Sequence, residues 1–300
     1  MDVRQLVAFR AVAETRSITR AATALGYSQS AVTAQIKNLE SVVRARLFER
    51  RRDGVRLTSS GERFLPYVTR LLRLTEEARS AVAPEAEPRG TLTIGASEAI
   101  TTYRLPDVVW RFHARHPDVR LALHTFHEGP QSLVTALERG EIDVALLHST
   151  GPVGPASRRL AVEELVLVAA PTHSLVGRDV VTVDDLREQS TLIVQSACVY
   201  DAVMRAELGH RPVPPLEYGT IEGAKIAAVA GHGVALLPRV CVRSTLDEGR
   251  LVALPWMPVT TVAGYLVWDD AQCDPATLAA LDAVLTRAVA DWERPRATAA

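Results

Sequence analysis

The chain's 300 residues are enough for about two domains at roughly 150 residues apiece. Hydrophobic residues at 47% and charged ones at 23% are ordinary for a globular chain, which excludes wholesale disorder and collagen-like or coiled-coil-only architectures. The net charge of −1 hides an asymmetry: residues 1–60 carry +6 and the rest −7, so a basic head suited to a polyanion precedes an acidic body.

The chain opens on charged residues, Asp2, Arg4, Arg10, Glu14 and Arg16, with no apolar core for a signal peptide, so a cytoplasmic location is expected. Three amphipathic patterns follow, predicting helices at Val3–Thr15, Ile18–Leu25 and 28–43. Ser17 and Ser28 sit where N-caps belong, and Gly26-Tyr27 leaves room only for a tight turn, so the second and third helices read as a helix-turn-helix. On the third helix Val32, Ile36, Leu39 and Val43 form the inward stripe. Ser28, Gln29, Ser30, Thr33, Ala34 and Lys37 are then the expected reading face: Gln pairs with adenine, Ser and Thr with several base edges, and Lys with guanine or phosphate.

Asp53-Gly54 between two short strand-like pieces is a hairpin signal, and Arg50, Arg51, Arg52 and Arg56 crowd it, so it reads as a wing reaching phosphates or a minor groove. Ser59-x-x-Glu62 has the spacing of a capping box and predicts a helix to about residue 82. Leu65, Val68, Leu71, Leu72, Thr75, Ala78 and Val82 share its apolar face, which either pairs with the same helix of a second subunit or packs on the chain's own body. Pro84 to Pro88 reads as a stiff hinge. The expected organisation is a winged helix-turn-helix at 1–60, a linker and dimerisation helix at 61–83, a hinge at 84–90 and an effector-binding domain at 91–300.

In the body, strands are expected at 92–96, 119–124, 142–147, 163–170, 192–195, 234–237 and 265–268. Helices are expected at 105–113, 132–139, 201–208, 222–230 and Pro275–Trp292. The alternation reads as parallel α/β, in two lobes joined by two crossings: about 91–162 with 265–300, and 163–264. Ligands bind in such clefts, outside the strand ends. No apolar run reaches the ~18 residues that span a bilayer. Cys198, Cys241 and Cys273 form no C-x-x-C pair, which fits reduced thiols better than a disulfide frame or a zinc site.

The head resembles the N-terminal half of LysR-type transcriptional regulators. The match rests on Leu6-Val7-Ala8-Phe9, Ser17-Ile18-Thr19-Arg20-Ala21-Ala22, Leu25 through Thr33, Gln35-Ile36, Leu39-Glu40, Leu47-Phe48-Glu49-Arg50 and Leu57 through Gly61. Ser30, where the family often has Pro, and Ala34, where many members have a large polar residue, depart from the pattern on the reading face. The body is similar to the family's effector-binding half, which is periplasmic-binding-protein-like in fold, through Ile94-Gly95-Ala96-Ser97, Leu105-Pro106, Pro117-Asp118-Val119, Gly140, Asp143, Val229 through Pro238 and Gly249-Arg250-Leu251. The resemblance implies a multi-domain, non-enzymatic regulator without metal or cofactor. It implies a double-stranded DNA operator, a homodimer or homotetramer, RNA polymerase as a further partner, and a small-molecule effector of unstated identity. It places the effector at Ser97, Glu98, Thr101, Thr102, His127, Glu128, His148, Gln195, Ser196, Cys198, Thr220 and Glu222.

Ser97 ends a strand and opens a helix, and Thr220 has a similar place in the second lobe, so a carboxylate or oxyanion is the default effector. Glu98, Glu128 and Glu222 oppose that choice unless they face away or are balanced by His127, His148 or Arg104, and the effector's charge stays open. Cys198 precedes a helix that could activate a sensor thiol, though plain lining of the pocket explains it too. A hydrolase is a weaker alternative, because Gly95-Ala96-Ser97-Glu98-Ala99 lacks the last Gly of a nucleophile elbow and no His is assignable as base. Gly231-His232-Gly233 lacks the third Gly of a dinucleotide fingerprint. The pairs His113/His116 and His124/His127 do not favour a metal. A solute-binding module using the head only for assembly would leave the basic charge unexplained.

Overall fold

A computed structural model of the chain describes residues 1–51, 54–80, 88–210, 212–270 and 272–292. They fall into two units, a head and a body, divided near residue 86. Arg52, Val82 and most of the expected hinge lie outside the described residues.

The head holds α1 (Val3–Thr15), α2 (Ile18–Leu25), α3 (Gln29–Val43), β1 (Phe48–Arg51), β2 (Gly54–Leu57) and α4 (Ser59–Ser80). Polar caps set the starts: Asp2 Oδ1 accepts from Arg4 N at 2.9 Å, Ser17 Oγ from Arg20 N at 3.3 Å and Ser28 Oγ from Ala31 N at 3.2 Å. Phe9, Val12, Ala21, Val32, Ile36 and Leu39 fill one core with Leu47 and Val68. β1 and β2 pair antiparallel, Phe48 opposite Leu57. Gly54, at φ 137°, lies so close to the end of α1 that a Cβ would stand 2.6 Å from Arg16 O, while Val55 N donates to that same carbonyl at 3.1 Å.

The capping box expected at Ser59 and Glu62 gives way to a simple cap one residue earlier, whose N3 position is Gly61 and so closes no box. Thr58 is the cap: its Oγ1 accepts from Gly61 N at 3.1 Å and donates to Arg46 O at 2.7 Å, and its N–H donates to Leu47 O at 3.0 Å. Those ties to the segment before the wing fix the extended residue one position early. The apolar face of α4 is also divided. Val68 and Leu72 are buried in the head core, whereas Tyr67, Leu71 and Leu74 are exposed.

The first lobe of the body contains β3 (Gly90–Ser97), α5 (Glu98–Tyr103), α6 (Leu105–Arg115), β4 (Val119–Phe126), α7 (Pro130–Glu138), β5 (Val144–Ser149) and β6 (Ala156–Val162). The second contains β7 (Leu165–Ala169), α8 (Val183–Arg187), β8 (Leu192–Ile193), α9 (Val199–Leu208), β9 (Leu216–Glu217), α10 (Ile221–Val229), β10 (Ala235–Pro238), α11 (Arg239–Asp247) and β11 (Val252–Ala253). β12 (Ala263–Trp268) and α12 (Pro275–Trp292) return to the first. Its sheet runs β4-β3-β5-β12-β6. β3 is parallel to β4 and β5, but β12 is antiparallel to both β5 and β6, so the expected all-parallel sheet is a mixed one. A chain that returns from the second lobe enters the sheet from the opposite end, which reverses that strand. The second lobe's three-stranded sheet β10-β7-β11 is antiparallel throughout, whereas β8 and β9 pair in parallel and Thr191, just before β8, makes a parallel bridge to Val234. Separate apolar cores fill the two lobes. Ala99 of α5 is buried in the second lobe's core although α5 follows a first-lobe strand.

Candidate functional site: a reading helix and an interlobe cleft

On α3, Ser28, Gln29, Ser30, Ala34 and Lys37 are exposed and Thr33 is half-buried, opposite the buried Val32, Ile36 and Leu39. Thr33 Oγ1 donates to Gln29 O at 2.8 Å, which leaves its oxygen free to accept. Ser28 caps the helix, with its Oγ also 3.0 Å from Ser30 Oγ. Arg56 is exposed on β2, and Arg50 and Arg51 belong to β1.

In the body, the ends of β3, β4 and β5 face the starts of α9 and α10 across a cleft holding about 440 Å³ of empty space, its open mouth included. Of the twelve expected effector residues, Ser97, Glu98, His127, His148 and Cys198 line it. The other seven do not. Thr101 Oγ1 turns back to Ser97 O at 3.2 Å, Thr220 Oγ1 caps α10 through Gly223 N at 3.0 Å, and Glu222 pairs with Lys225 at 2.6 Å. Thr102, Glu128 and Ser196 are exposed, and Gln195 is half-buried, away from the lining. Ala99, Phe126, Gly129, Pro130, Leu147, Val194, Val199, Tyr200 and Ile221 also line the cleft and were not among the expected residues. Buried apolar strand ends carry no sequence mark that separates lining from core.

Glu98 is the charged side chain at the centre of the cleft. Its carboxylate accepts from Ile221 N at 2.9 and 3.1 Å, so it sits on the first turn of α10 and ties the two lobes together. His127 Nδ1 lies 3.7 Å from Glu98 Oε2. Ser97 Oγ is shielded from solvent and has no partner.

Behind the cleft runs a buried polar chain that the sequence reading did not find. Tyr200 O–H donates to His148 Nδ1 at 2.8 Å, His148 Nε2 lies 3.1 Å from Glu163 Oε2, and Arg104 Nη2 reaches both Glu163 oxygens at 3.2 and 3.3 Å. Arg104 also lies over the Trp292 ring, 5.1 Å from its centroid. Glu163 occupies one lobe crossing, and its N–H donates to Val262 O of the other at 2.9 Å. Burial raises the Glu163 pKa, but the hydrogen bond to His148 and the charge and hydrogen bonds of Arg104 outweigh it, and the carboxyl is held below its usual range. Burial drives the Tyr200 phenol well above its ordinary value, so it remains a donor, with the ring proton of His148 assigned to Nε2. Burial also pushes the Cys198 thiol up to about 11, the opposite of an activated sensor.

Among the described residues there is no group of three or more His, Cys, Asp or Glu placed to hold a metal, and no helix is long and apolar enough to cross a membrane.

A winged helix-turn-helix head and a two-lobed α/β body with an interlobe cleft define a DNA-binding regulator of transcription governed by a small molecule. Residues 3–62 match the family model for bacterial regulatory helix-turn-helix proteins of the lysR family, and residues 85–289 match the LysR substrate-binding domain. The chain therefore belongs to the LysR family of transcriptional regulators. It is 33% identical to the HTH-type transcriptional regulator YwqM of Bacillus subtilis, over 89% of this chain and 92% of that one. It is 31% identical to GltR of the same organism, over 84% of each. Among solved structures, a full-length OxyR variant from Pseudomonas aeruginosa shares the fold at a TM-score of 0.77 with 21% identity, over 95% of this chain and 98% of that one. Full-length CbnR complexed with its target DNA shares it at 0.65 with 22% identity, over 96% and 100%.

Proposed function

We propose that α3 reads the operator through Gln29, Ser30, Thr33, Ala34 and Lys37. In this reading Ser28 sets the helix start, and Arg50, Arg51, Arg52 and Arg56 of the wing hold phosphates or the minor groove. The observation that carries this is the polar, exposed face of α3 set against its buried Val32, Ile36 and Leu39. Residues 1–60 form the DNA-binding domain, 61–83 pair subunits, 84–90 act as hinge and 91–300 sense the effector. The exposed Tyr67, Leu71 and Leu74 of α4 support subunit pairing, and a dimer or tetramer presents reading helices to a two-fold operator. RNA polymerase is the partner through which such an assembly acts, in the cytoplasm.

The effector occupies the interlobe cleft against Ser97, Glu98, His127, His148 and Cys198, and is bound rather than turned over. Ser97 Oγ has no hydrogen-bonding base, which favours binding over hydrolysis. No resident cofactor is invoked. Fluorescence anisotropy of the full chain with DNA upstream of its own gene, against random DNA across a salt series, tests the operator reading. Selectivity of about 10³-fold or more, with affinity falling steeply in salt, is expected; equal binding to both DNAs overturns it.

A further inference from the structure

The chemistry of the cleft also narrows what it can hold. Glu98 carries the full negative charge of the lining, and the lining includes no Lys or Arg. The nearest guanidinium along the chain, Arg104, is committed to Glu163 behind the cleft. The first turn of α10, where an anion would otherwise bind, is occupied by the Glu98 carboxylate itself. An anionic ligand would have to displace that carboxylate or lie beside it with no Lys or Arg in the lining to offset the repulsion.

A carboxylate has about four acceptor positions, and Ile221 N uses one bond shared between its two oxygens, so Glu98 keeps capacity on the cleft side. Ser97 Oγ, buried and unpartnered beside it, supplies a second acceptor. Phe126, Leu147 and Ile221 offer apolar wall. Resting on the reading of this cleft as the effector site, we propose that the effector is a small amine. Its ammonium is held by Glu98 and Ser97 Oγ, its apolar part lies against Phe126, Leu147 and Ile221, and the cleft discriminates against small carboxylates.

The test uses the full-length protein and three probes of similar shape, phenethylamine, 3-phenylpropanol and 3-phenylpropionate, titrated calorimetrically. Working at pH 8 keeps the amine probe protonated and the carboxylate probe ionised. The amine is expected to bind at least about tenfold more tightly than the carboxylate, the gap that one well-placed charge supports. Glu98→Gln keeps an acceptor for Ile221 N and should collapse that preference to within about twofold. A melting curve of the variant checks that it folds, and if it does not, the wild-type comparison decides alone. A carboxylate that binds as tightly as the amine, an amine preference that survives Glu98→Gln, or no amine binding at millimolar concentration overturns the proposal. Operator affinity measured with each probe separates the two failures: a carboxylate that binds and shifts operator affinity refutes the ligand class only, whereas probe binding that leaves operator affinity unchanged and is insensitive to Glu98→Gln refutes the cleft as the effector site.

Discussion

Removing the Glu163 carboxylate should destabilise the body without touching the head. The Glu163 side chain is 6% exposed, with Arg104 at 15% and His148 at 4%, so Glu163→Ala strands a guanidinium and an imidazole away from water. Breaking a buried pair from one side costs about 3–5 kcal/mol, and at 2–4 °C per kcal/mol for a unit of this size the body should melt roughly 6–20 °C lower. All four tryptophans, Trp110, Trp256, Trp268 and Trp292, lie in the body, so tryptophan fluorescence follows its unfolding separately from the head. Glu163→Gln keeps an acceptor and should lose about 1–3 kcal/mol. The double change Arg104→Met with Glu163→Leu should recover part of the loss, because it removes the unpaired guanidinium while the His148 ring still lacks its acceptor. The pH dependence has a definite sign. A carboxyl held below its ordinary value of 4.5 contributes its full stability above that pH and loses it as pH falls through the lower folded value. The acid-side drop in melting temperature should therefore shrink in Glu163→Gln. A Glu163→Ala shift below about 2 °C, far under the range worked out above, would refute the buried network as a structural tie.

Ile36→Ala should destabilise the head by about 2–5 kcal/mol, since Ile36 is 6% exposed in its core; hydrogen exchange across α1–α3 reads the loss, and unchanged protection contradicts it. Thr33→Ala should weaken binding to the operator more than to random DNA, by about 1–3 kcal/mol if its oxygen reads a base, and equal losses on both argue against that role. Cys198, with its thiol raised from 9.0 to about 11, should alkylate at pH 7 about a hundredfold more slowly than an ordinary cysteine. Iodoacetamide kinetics measured against Cys198→Ser check this, and a free-cysteine rate would revive the sensor thiol.

The head was legible because its signals are local. Ser17 and Ser28 cap helices in the register that the sequence suggests, and the spacing of Val32, Ile36 and Leu39 alone fixes which side of α3 faces out. The single slip, Ser59 for Thr58, came from a tie to the preceding segment: Thr58 is held by Arg46 and Leu47, and only glycine fits at 61, because a Cβ there would fall 2.2 Å from Leu47 O. In the body the same distinction operates on a larger scale. Long periodic helices such as α12 were readable, while α5, α8, β9 and β11 escaped because each is short and β6 because its pattern is irregular; α11, as long as α7 and α10, went unread although its pattern is amphipathic. The reversal of β12 depends on where the chain re-enters the sheet, which no local pattern records.

The cleft shows what kind of information was missing. Ser97 and Glu98 could be placed at a strand end from sequence, but the partner of Glu98 is a backbone N–H 123 residues further along, and that contact converts an awkward acid into the link between lobes. His148 reads in sequence as one more polar residue at a strand end. In the fold its ring joins Tyr200 of the second lobe to Glu163 at the crossing while its edge lines the cleft. A ligand that contacts His148 therefore touches the same hydrogen-bonded chain that holds the crossing, and a ligand that engages Glu98 competes for the bond to α10. Both connections between cleft and lobe geometry pass through side chains whose roles are set by distant partners, so the sequence could point to the strand ends that border this cleft but not to how the two lobes are held.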